Sequence, residues 1–398
     1  MIRKVHIQNF KSLADFEMEL GRVNVIIGAN GSGKTNILEG IAMGAAAAAG
    51  KLDYEFLGNR IRVSTPEYMK SAFPAKDHDA INLRFEQEGE VVDLNFELFP
   101  DETDGRKWTD RRMIEFIRSG SETILTLYNS KDTGNEIPED LNAVLTKIFA
   151  QINELPDQSD LGAIFQGIAF ASRFATNSRS TLSPFVIYSQ ENLPLRKFEE
   201  PYQITPLGIH GEGLFHELKR IFTDKKKKKQ QAEIVEHLQL LDWFEGISIP
   251  NGLMSMEYKI AIKDRFLDPK LAAFDQRSAN EGFLMLLFYL VLFTSENTPK
   301  FFAIENIDTA FNPKMCREIM RLIAELAVKH EKQVIVTTHN PWTLDGLNLT
   351  DDEQRLFVAR RNNHGHTKVE RISEKADSNL MLSEIWTRGY FGGLPDNF

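Results

Sequence analysis

Eight residues near the start of the chain have the order and composition of a phosphate-binding loop. Gly28–Thr35 matches the pattern G-x-x-x-x-G-K-[ST] within the stretch VNVIIGANGSGKTNILEGI. In such a loop the backbone N–H groups surround phosphates, the lysine reaches the outer two, and the last hydroxyl binds Mg²⁺. Val23–Ile27 is an apolar run before the loop, and apolar residues recur at helical spacing after it, which indicates a strand leading into a helix N-terminus. The predicted phosphate contacts are Asn30, Gly31, Ser32, Gly33, Lys34, Thr35 and Asn36, with Thr35 also on the metal.

A second stretch, FFAIENIDTAFNP, presents a carboxylate after four apolar residues. Phe301–Ile304 has the pattern of a buried strand that ends at Glu305, and Val334–Val336 forms a similar strand that leads to His339 in TTHNP. A strand, helix, strand order makes these strands parallel, so their ends meet at one edge of the sheet, together with the phosphate loop. The sequence therefore predicts Glu305 as a metal ligand and His339 as a contact of the terminal phosphate.

The elements around these motifs indicate an α/β fold. Strand patterns cover Val5–Phe10, Ile81–Phe85 and Val91–Leu98, whereas the polar stretch after Asp101 shows helical patches at Arg111–Ile117 and Leu141–Ile152. We expect a head with a mixed central sheet and a mostly helical insertion. The expected division is residues 1–100 for the part with the phosphate loop, 101–260 for the helical insertion and lobe, and 261–398 for the rest of the head.

Composition limits the class of protein. The chain has 398 residues, 42% apolar and 26% charged, and its single cysteine, Cys316, excludes an internal disulfide. No signal pattern opens the chain, and the longest apolar run, Phe283–Phe293, is about half of a membrane span, so we expect a cytoplasmic protein without membrane contact and exclude a transporter. The net charge of −10 argues against a surface that binds nucleic acid everywhere, although a local basic patch is compatible with it. The run Lys225–Lys229 is such a patch, and we expect it at the tip of a short helical pair within Gly213–Trp243.

The segments FKSL, GANGSGKTNILEGI, ENIDTAFNP and TTHNPWTLDGL together resemble the ABC-type ATPases of the RecF/SMC branch. They are similar in particular to the ATPase subunits of prokaryotic anti-phage systems such as Septu and PARIS, relatives of the OLD-family ATPases. The resemblance covers the start of the chain and most of Asp264–Ile372. It implies ATP and Mg²⁺ as cofactors and a homodimer or higher homo-oligomer in which two heads sandwich two ATP molecules.

In that family a signature segment completes the nucleotide site of the partner head. RSANEGFLMLLFYL lies at the corresponding place, so the resemblance implies that Asn280, Glu281 and Gly282 start a buried helix and offer N–H groups to the partner's nucleotide. Asn280 stands where the family usually has serine. The other reading of this segment is a core helix with a glycine near its start.

Glu305 and Asn306 can be aligned in two registers with the metal-binding and general-base residues of such ATPases. Counting back from Pro313, as the resemblance suggests, Glu305 takes the place of the metal-binding Asp and Asn306 that of the general-base Glu. An amide orients water but cannot take its proton, so ATP hydrolysis would be slow. In the other register Glu305 is itself the base, and Thr35, phosphates and solvent hold Mg²⁺. We favour the first register, and in both Asp308 is expected to face the dimer partner.

Three functions fit these residues. The first is an ATP-dependent dimerising scaffold or switch for a separate effector in anti-phage defence. We expect this effector to be a nuclease on another chain, because the segment after His339 is too short for the nuclease domain of the OLD family. The second is a RecF-like DNA-repair ATPase that binds DNA directly, for which Lys225–Lys229 is the only basic run. The third is a structural protein that uses ATP only for folding. Gln190 and Glu191, in VIYSQENLPLR, are candidates for a loop that senses the γ-phosphate.

Overall fold

A computed structural model describes most of the chain outside its central third. The described residues are 1–62, 65–72, 80–89, 92–101, 107–118, 121–129, 181–198, 204–250, 252, 257–271, 273–373 and 380–393. Two compact units emerge, one made of residues 1–185, 350–374 and 391–398 and the other of 186–349 and 375–390. In the described part of the chain, no helix has the length and apolar character needed to cross a membrane.

The first unit contains a six-stranded antiparallel sheet. Apolar residues alternate along its strands, so that Val5 and Ile7 of the first strand are buried while their neighbours are half-buried. Its strands are β1 (Ile2–Phe10), β2 (Leu13–Glu19), β4 (Ile81–Gln87), β5 (Val92–Pro100), β6 (Trp108–Arg118) and β7 (Ser121–Asn129). The order across the sheet is β2-β1-β4-β5-β6-β7.

The expected helix at Arg111–Ile117 is wrong, because these residues lie within β6. The strand pairs antiparallel with β5 on one side and β7 on the other, and these non-local backbone hydrogen bonds override a local pattern that fits a helix about as well. The expected helical patch at Leu141–Ile152 lies outside the described residues. The division into 1–100, 101–260 and 261–398 stays a prediction.

The phosphate loop belongs to the same unit but to another group of strands. The strand β3 (Val23–Ile27) is buried throughout and runs parallel to β13 (Gln354–Arg361), which pairs antiparallel with β14 (Thr367–Ile372). The sheet is therefore mixed, and the expected α/β class with a mixed central sheet is confirmed. The described helices of this unit are α1 (Lys34–Ala48), α2 (Tyr54–Gly58) and α3 (Pro66–Met69).

Parallel strands form the centre of the second unit. They are β8 (Ile187–Tyr188), β11 (Phe301–Ile304) and β12 (Gln333–Thr337), and all three are buried. Across the sheet, β11 lies between β12 and β8. The helix α7 (Glu281–Thr294) is buried along its length because it is apolar on every face. The helix α8 (Pro313–Lys329) buries one face that includes Cys316, Ile319, Ile323 and Leu326.

A helical pair carries the lysine run, as expected. The helices α5 (Leu214–Thr223) and α6 (Lys228–Leu238) flank a 3₁₀ turn at Lys225–Lys227. The remaining described elements are α4 (Asn192–Lys197), β9 (Phe244–Ser248), β10 (Ala261–Asp264), 3₁₀ turns at Pro269–Leu271 and Pro341–Gly346, and α9 (Leu382–Thr387).

Candidate functional site

The phosphate loop connects β3 to α1 through a backbone that only glycine adopts easily. Gly31 and Gly33 have φ angles of 77° and 104°, in the left-handed region. Gly33 is also the N-cap of α1 and makes no side-chain capping bond. The strand, loop and helix predicted around Gly28–Thr35 are therefore confirmed as elements.

Two polar groups of the loop suit a bound phosphate. Lys34 is buried, and its Nζ donates to the carbonyl oxygens of Gly28 and Ala29 at 2.7 and 3.1 Å. The hydroxyl of Ser32 is buried too, and Oγ has no hydrogen-bond partner among the described residues. A buried hydroxyl without a partner is costly, and a phosphate oxygen would satisfy it. The loop therefore fits a nucleotide phosphate.

The C-terminal hairpin of β13 and β14 holds this loop. Arg361 Nε donates to the Gly31 carbonyl at 2.8 Å, and the Thr367 hydroxyl donates to the Ser32 carbonyl at 2.9 Å. A Cβ atom on Gly33 would collide with the Thr367 hydroxyl, so this position also requires glycine for space. Sequence reasoning missed this contact with the loop, because the partners are more than 300 residues apart and no local pattern marks them.

Side chains at the start of α1 fasten the helix to the β1–β2 turn. Asn36 Nδ2 donates to Ser12 Oγ at 2.7 Å, and the buried Glu39 forms ion pairs with Lys11 at 2.7 Å and Arg62 at 2.8 Å. Burial alone would raise the pKa of Glu39, but the hydrogen bonds and charges of Arg62 and Lys11 outweigh it and leave that pKa below its ordinary value. Glu39 is therefore ionised at neutral pH and fixes the helix that begins with Lys34.

In the second unit, Glu305 and Asn306 directly follow β11. Glu305 is half-buried, and its backbone N–H donates to the Tyr188 carbonyl at 2.8 Å. Asn306 is exposed, has a left-handed φ of 53°, and donates its backbone N–H to Thr337 Oγ1 at 3.0 Å. Asparagine tolerates this conformation better than most residues. The carboxylate and the amide thus stand at the carboxyl end of the parallel strands, and the two assignments of their roles both stay predictions.

His339 follows the neighbouring strand and is exposed. Its two neighbours are anchored, since the Thr338 hydroxyl donates to Asp308 at 2.6 Å and the Asn340 N–H donates to Thr338 Oγ1 at 3.0 Å. Because β11 and β12 are parallel and in register, Glu305 and His339 lie at the same edge, as expected. Asp308, which we expected to face a dimer partner, contacts Thr338 of its own chain.

Asn280, Glu281 and Gly282 form the start of the buried helix α7, as expected. Asn280 is the N-cap, and its Oδ1 accepts the Phe283 N–H at 2.8 Å, which replaces the capping bond of a serine. A Cβ atom on Gly282 would lie 3.2 Å from the Ala310 carbonyl oxygen. The segment therefore packs closely on the loop after Glu305, and its contact with a partner's nucleotide stays a prediction.

Solved structures that resemble this chain include SMC heads. A crystal structure of an SMC head bound to the C-winged helix domain of ScpA matches with a TM-score of 0.51 and 15% identity, over 94% of this chain and 98% of that chain. The SMC head domain from Thermotoga maritima gives 0.45 and 16%, over 93% and 98%. The Pyrococcus furiosus SMC head with an extended coiled coil, bound to the C-terminal domain of ScpA, gives 0.47 and 13%, over 98% of both chains. The first of these comparisons places the chain in the fold class of SMC ATPase heads.

The family follows from sequence models. A model described as "AAA domain" matches residues 4–265, and the chain belongs to this AAA-domain family. A second model, described as "AAA domain, putative AbiEii toxin, Type IV TA system", matches residues 189–345. No curated protein matches the chain significantly. With the phosphate loop and the SMC-head fold, this defines a nucleotide-binding ATPase of the SMC/RecF-like type.

Proposed function

We propose that the chain binds Mg-ATP, dimerises around it, and acts as a nucleotide-dependent scaffold or switch for a separate effector, a nuclease, in anti-phage defence. The observation that carries the nucleotide site is the phosphate loop. Its Lys34 ammonium is buried, and its Ser32 hydroxyl is buried without a hydrogen-bond partner among the described residues, so both groups suit a bound phosphate. The defence role is supported by the resemblance to anti-phage ATPase subunits and is in keeping with the toxin–antitoxin description of the second family model.

Each candidate residue has a role in this proposal. Lys34 binds the β- and γ-phosphates, while Thr35 and Glu305 hold Mg²⁺, which supplies charge neutralisation of the phosphate oxygens when bound. Among the described residues, no group of three or more His, Cys, Asp or Glu side chains could hold a metal by itself. His339 contacts the γ-phosphate. The remaining contacts are Asn30, Gly31, Ser32, Gly33 and Asn36 in the same chain and Asn280, Glu281 and Gly282 toward the partner's nucleotide.

In the favoured register, Asn306 orients the attacking water without accepting its proton. Hydrolysis is then slow, and ATP keeps the dimer together for a long time. In the other register, Glu305 takes the proton and the protein cycles. The two registers differ in which of the two side chains limits turnover.

The nucleotide site is tested with Lys34→Ala and a fluorescent ATP analogue. Removal of the ammonium should weaken binding on the order of 100-fold, because charge-assisted hydrogen bonds to phosphate are lost. Lys51→Ala, beyond the other end of α1, is the matched control and should bind like the wild type. Unaltered affinity in Lys34→Ala would refute the site.

The switch is tested separately by co-purification with the products of adjacent genes, with and without ATP. An effector that is retained with ATP and released without it supports the proposal. A monomer that binds ATP but retains no partner under either condition contradicts it.

One observation favours a second candidate, a RecF-like ATPase that binds DNA directly. Of Lys225–Lys229, all but Lys227 are exposed, and within the described chain none of the five makes a side-chain hydrogen bond or ion pair. Lys228 and Lys229 occupy the first turn of α6, where the helix dipole disfavours cations. The run therefore does not stabilise its own helix, and it contains no apolar residue for a protein partner to bury. Contacts with phosphates of nucleic acid fit such a run.

Charge reversal separates binding from folding at this run. Lys228→Glu with Lys229→Glu should weaken DNA binding and lower the slope of its salt dependence by about one unit per lost phosphate contact. The melting temperature should stay level, because acidic residues suit a first helical turn. Lys263→Glu with Lys270→Glu makes the same charge change at two exposed lysines elsewhere. Equal duplex affinity in both double variants would eliminate this candidate.

A further inference from the structure

Tyr289 lies in the middle of α7 and contacts two segments near the predicted catalytic residues. Its side chain is buried, and its hydroxyl oxygen lies 3.3 Å from Gln190 Oε1 and 3.3 Å from the Ile307 carbonyl oxygen, so the single hydroxyl proton is shared between two acceptors. Gln190 follows β8, and Ile307 is the second residue after Glu305. A single hydroxyl on the helix therefore bridges the ends of β8 and β11.

Gln190 has an amide atom that the protein does not satisfy. Its Nε2 is buried and has no hydrogen-bond partner within the part of the chain that the structure describes. An amide N–H is a donor, so the missing partner is an acceptor, such as a phosphate oxygen or a water molecule. Tyr289 holds the opposite atom of the same amide, so the Tyr289 hydroxyl sets the direction in which this donor points.

Ring contacts reinforce the bridge at the next residues. Tyr289 packs against Phe311 with ring centroids 6.2 Å apart, and Phe288 packs edge-on against Tyr188 at 5.6 Å. The Tyr188 carbonyl accepts the backbone N–H of Glu305. The helix thus touches the β8 end and the loop 305–312 at two successive positions, and its own first residues pack on the same loop at Ala310.

We propose that Tyr289 is a positioning residue that sets the Gln190 amide and the loop after Glu305 in one arrangement, and that it transmits movement of Asn280–Gly282 to both. This inference rests on the proposed function, in which Asn280–Gly282 meets the nucleotide of the partner head. Tyr289 itself touches no nucleotide. Burial, and then the charge of Asp308, raise the pKa of Tyr289, so the hydroxyl keeps its proton and remains a donor at all physiological pH values.

Tyr289→Phe removes the hydroxyl and leaves the ring. Hydrogen exchange of the nucleotide-free protein should rise in segments 189–192 and 305–312 but not in α8, because only the bridged segments lose a constraint. In single-turnover experiments ATP cleavage should slow about 10-fold, as for other removed positioning partners, with ATP affinity within about twofold of the wild type. Tyr390→Phe, at an exposed tyrosine, is the control and should change neither quantity.

A double-mutant cycle with Gln190→Ala distinguishes positioning from general stability. If Tyr289 acts through Gln190, Tyr289→Phe loses most of its kinetic effect in the Gln190→Ala background. An equal effect in both backgrounds, or exchange that rises throughout α7 and α8, shows a merely structural tyrosine and overturns the proposal. Unchanged exchange in both bridged segments overturns it as well. Failure of the wild type to bind ATP would refute the proposed function instead, and the exchange measurement would still decide the bridge.

Discussion

Asn306 combines a left-handed backbone with an amide, at the position that the favoured register assigns to the general base. The conformation itself restricts the replacements that can be compared fairly. Aspartate shares the tolerance of asparagine for this region, whereas glutamate in the left-handed region costs about 1–2 kcal/mol. A loss of activity in Asn306→Glu would therefore mix chemistry with strain, and Asn306→Asp is the cleaner probe.

For the favoured register, Asn306→Asp should raise steady-state phosphate release by about 100-fold, because a carboxylate can accept the proton of the attacking water. The wild type should carry intact ATP after denaturation of the purified protein. Glu305→Gln is the companion variant and should weaken Mg²⁺-dependent binding. Brisk wild-type turnover that Glu305→Gln abolishes and Asn306→Asp leaves unchanged would instead assign the base to Glu305.

Glu39 predicts an acid-sensitive component of stability. Its pKa is lower in the folded protein than its ordinary value of 4.5, so the unfolded chain binds the proton more tightly. The stabilisation is complete above that ordinary value and is lost as the pH falls through the lower folded value. Urea unfolding should show a steeper loss of stability below about pH 5 in the wild type than in Glu39→Gln. Parallel pH profiles for the two proteins would contradict this assignment.

At the scale of elements, α1 packs closely on the antiparallel sheet through two glycines. A Cβ atom on Gly40 would lie 2.7 Å from Ile7 Cδ1, and one on Gly44 would collide with the Phe85 ring. Both contacts involve buried side chains. The position of the helix that carries Lys34 therefore depends on the absence of side chains at these residues.

Gly44→Ala should destabilise the protein by about 1–2 kcal/mol, because overpacking against Phe85 exceeds the gain in helix propensity. Gly58→Ala is the matched control, since nothing lies within 4 Å of its added Cβ in α2. That variant should gain about 0.5–1 kcal/mol. Urea denaturation measures both, and a stabilised Gly44→Ala would show that the helix can shift away from the sheet.

The elements also show how far a sequence can be interpreted. The strand before the phosphate loop, α7 and α8 were predictable because each has a burial pattern within one short segment. The strand β2 and the strand character of Trp108–Arg118 depend on pairing with the neighbouring strands β1 and β5, which neither segment's own pattern specifies, and sequence reasoning missed both. The site shows the same difference. Lys34 and Glu305 follow from local motifs, whereas the hydroxyl of Tyr289 contacts Gln190, 99 positions away in the chain, and Ile307, 18 positions away.

At the scale of the whole molecule, the net charge of −10 makes two heads repel each other without a nucleotide to join them. We therefore expect a monomer in the absence of ATP and a dimer with Mg-ATP in sedimentation velocity. Lys34→Ala should remain monomeric under both conditions, which separates nucleotide binding from non-specific association. A wild-type protein that binds ATP and stays monomeric at all concentrations would refute the sandwich.

The hairpin that holds the phosphate loop has a consequence for synthesis. Gly31 and Ser32 leave the ribosome early, but the side chains that donate to their carbonyl oxygens, those of Arg361 and Thr367, follow 330 and 335 residues later. Until that hairpin has been translated, the nascent loop lacks the bonds that hold its backbone in place. An interrupted chain would carry the complete G-x-x-x-x-G-K-T motif without its support.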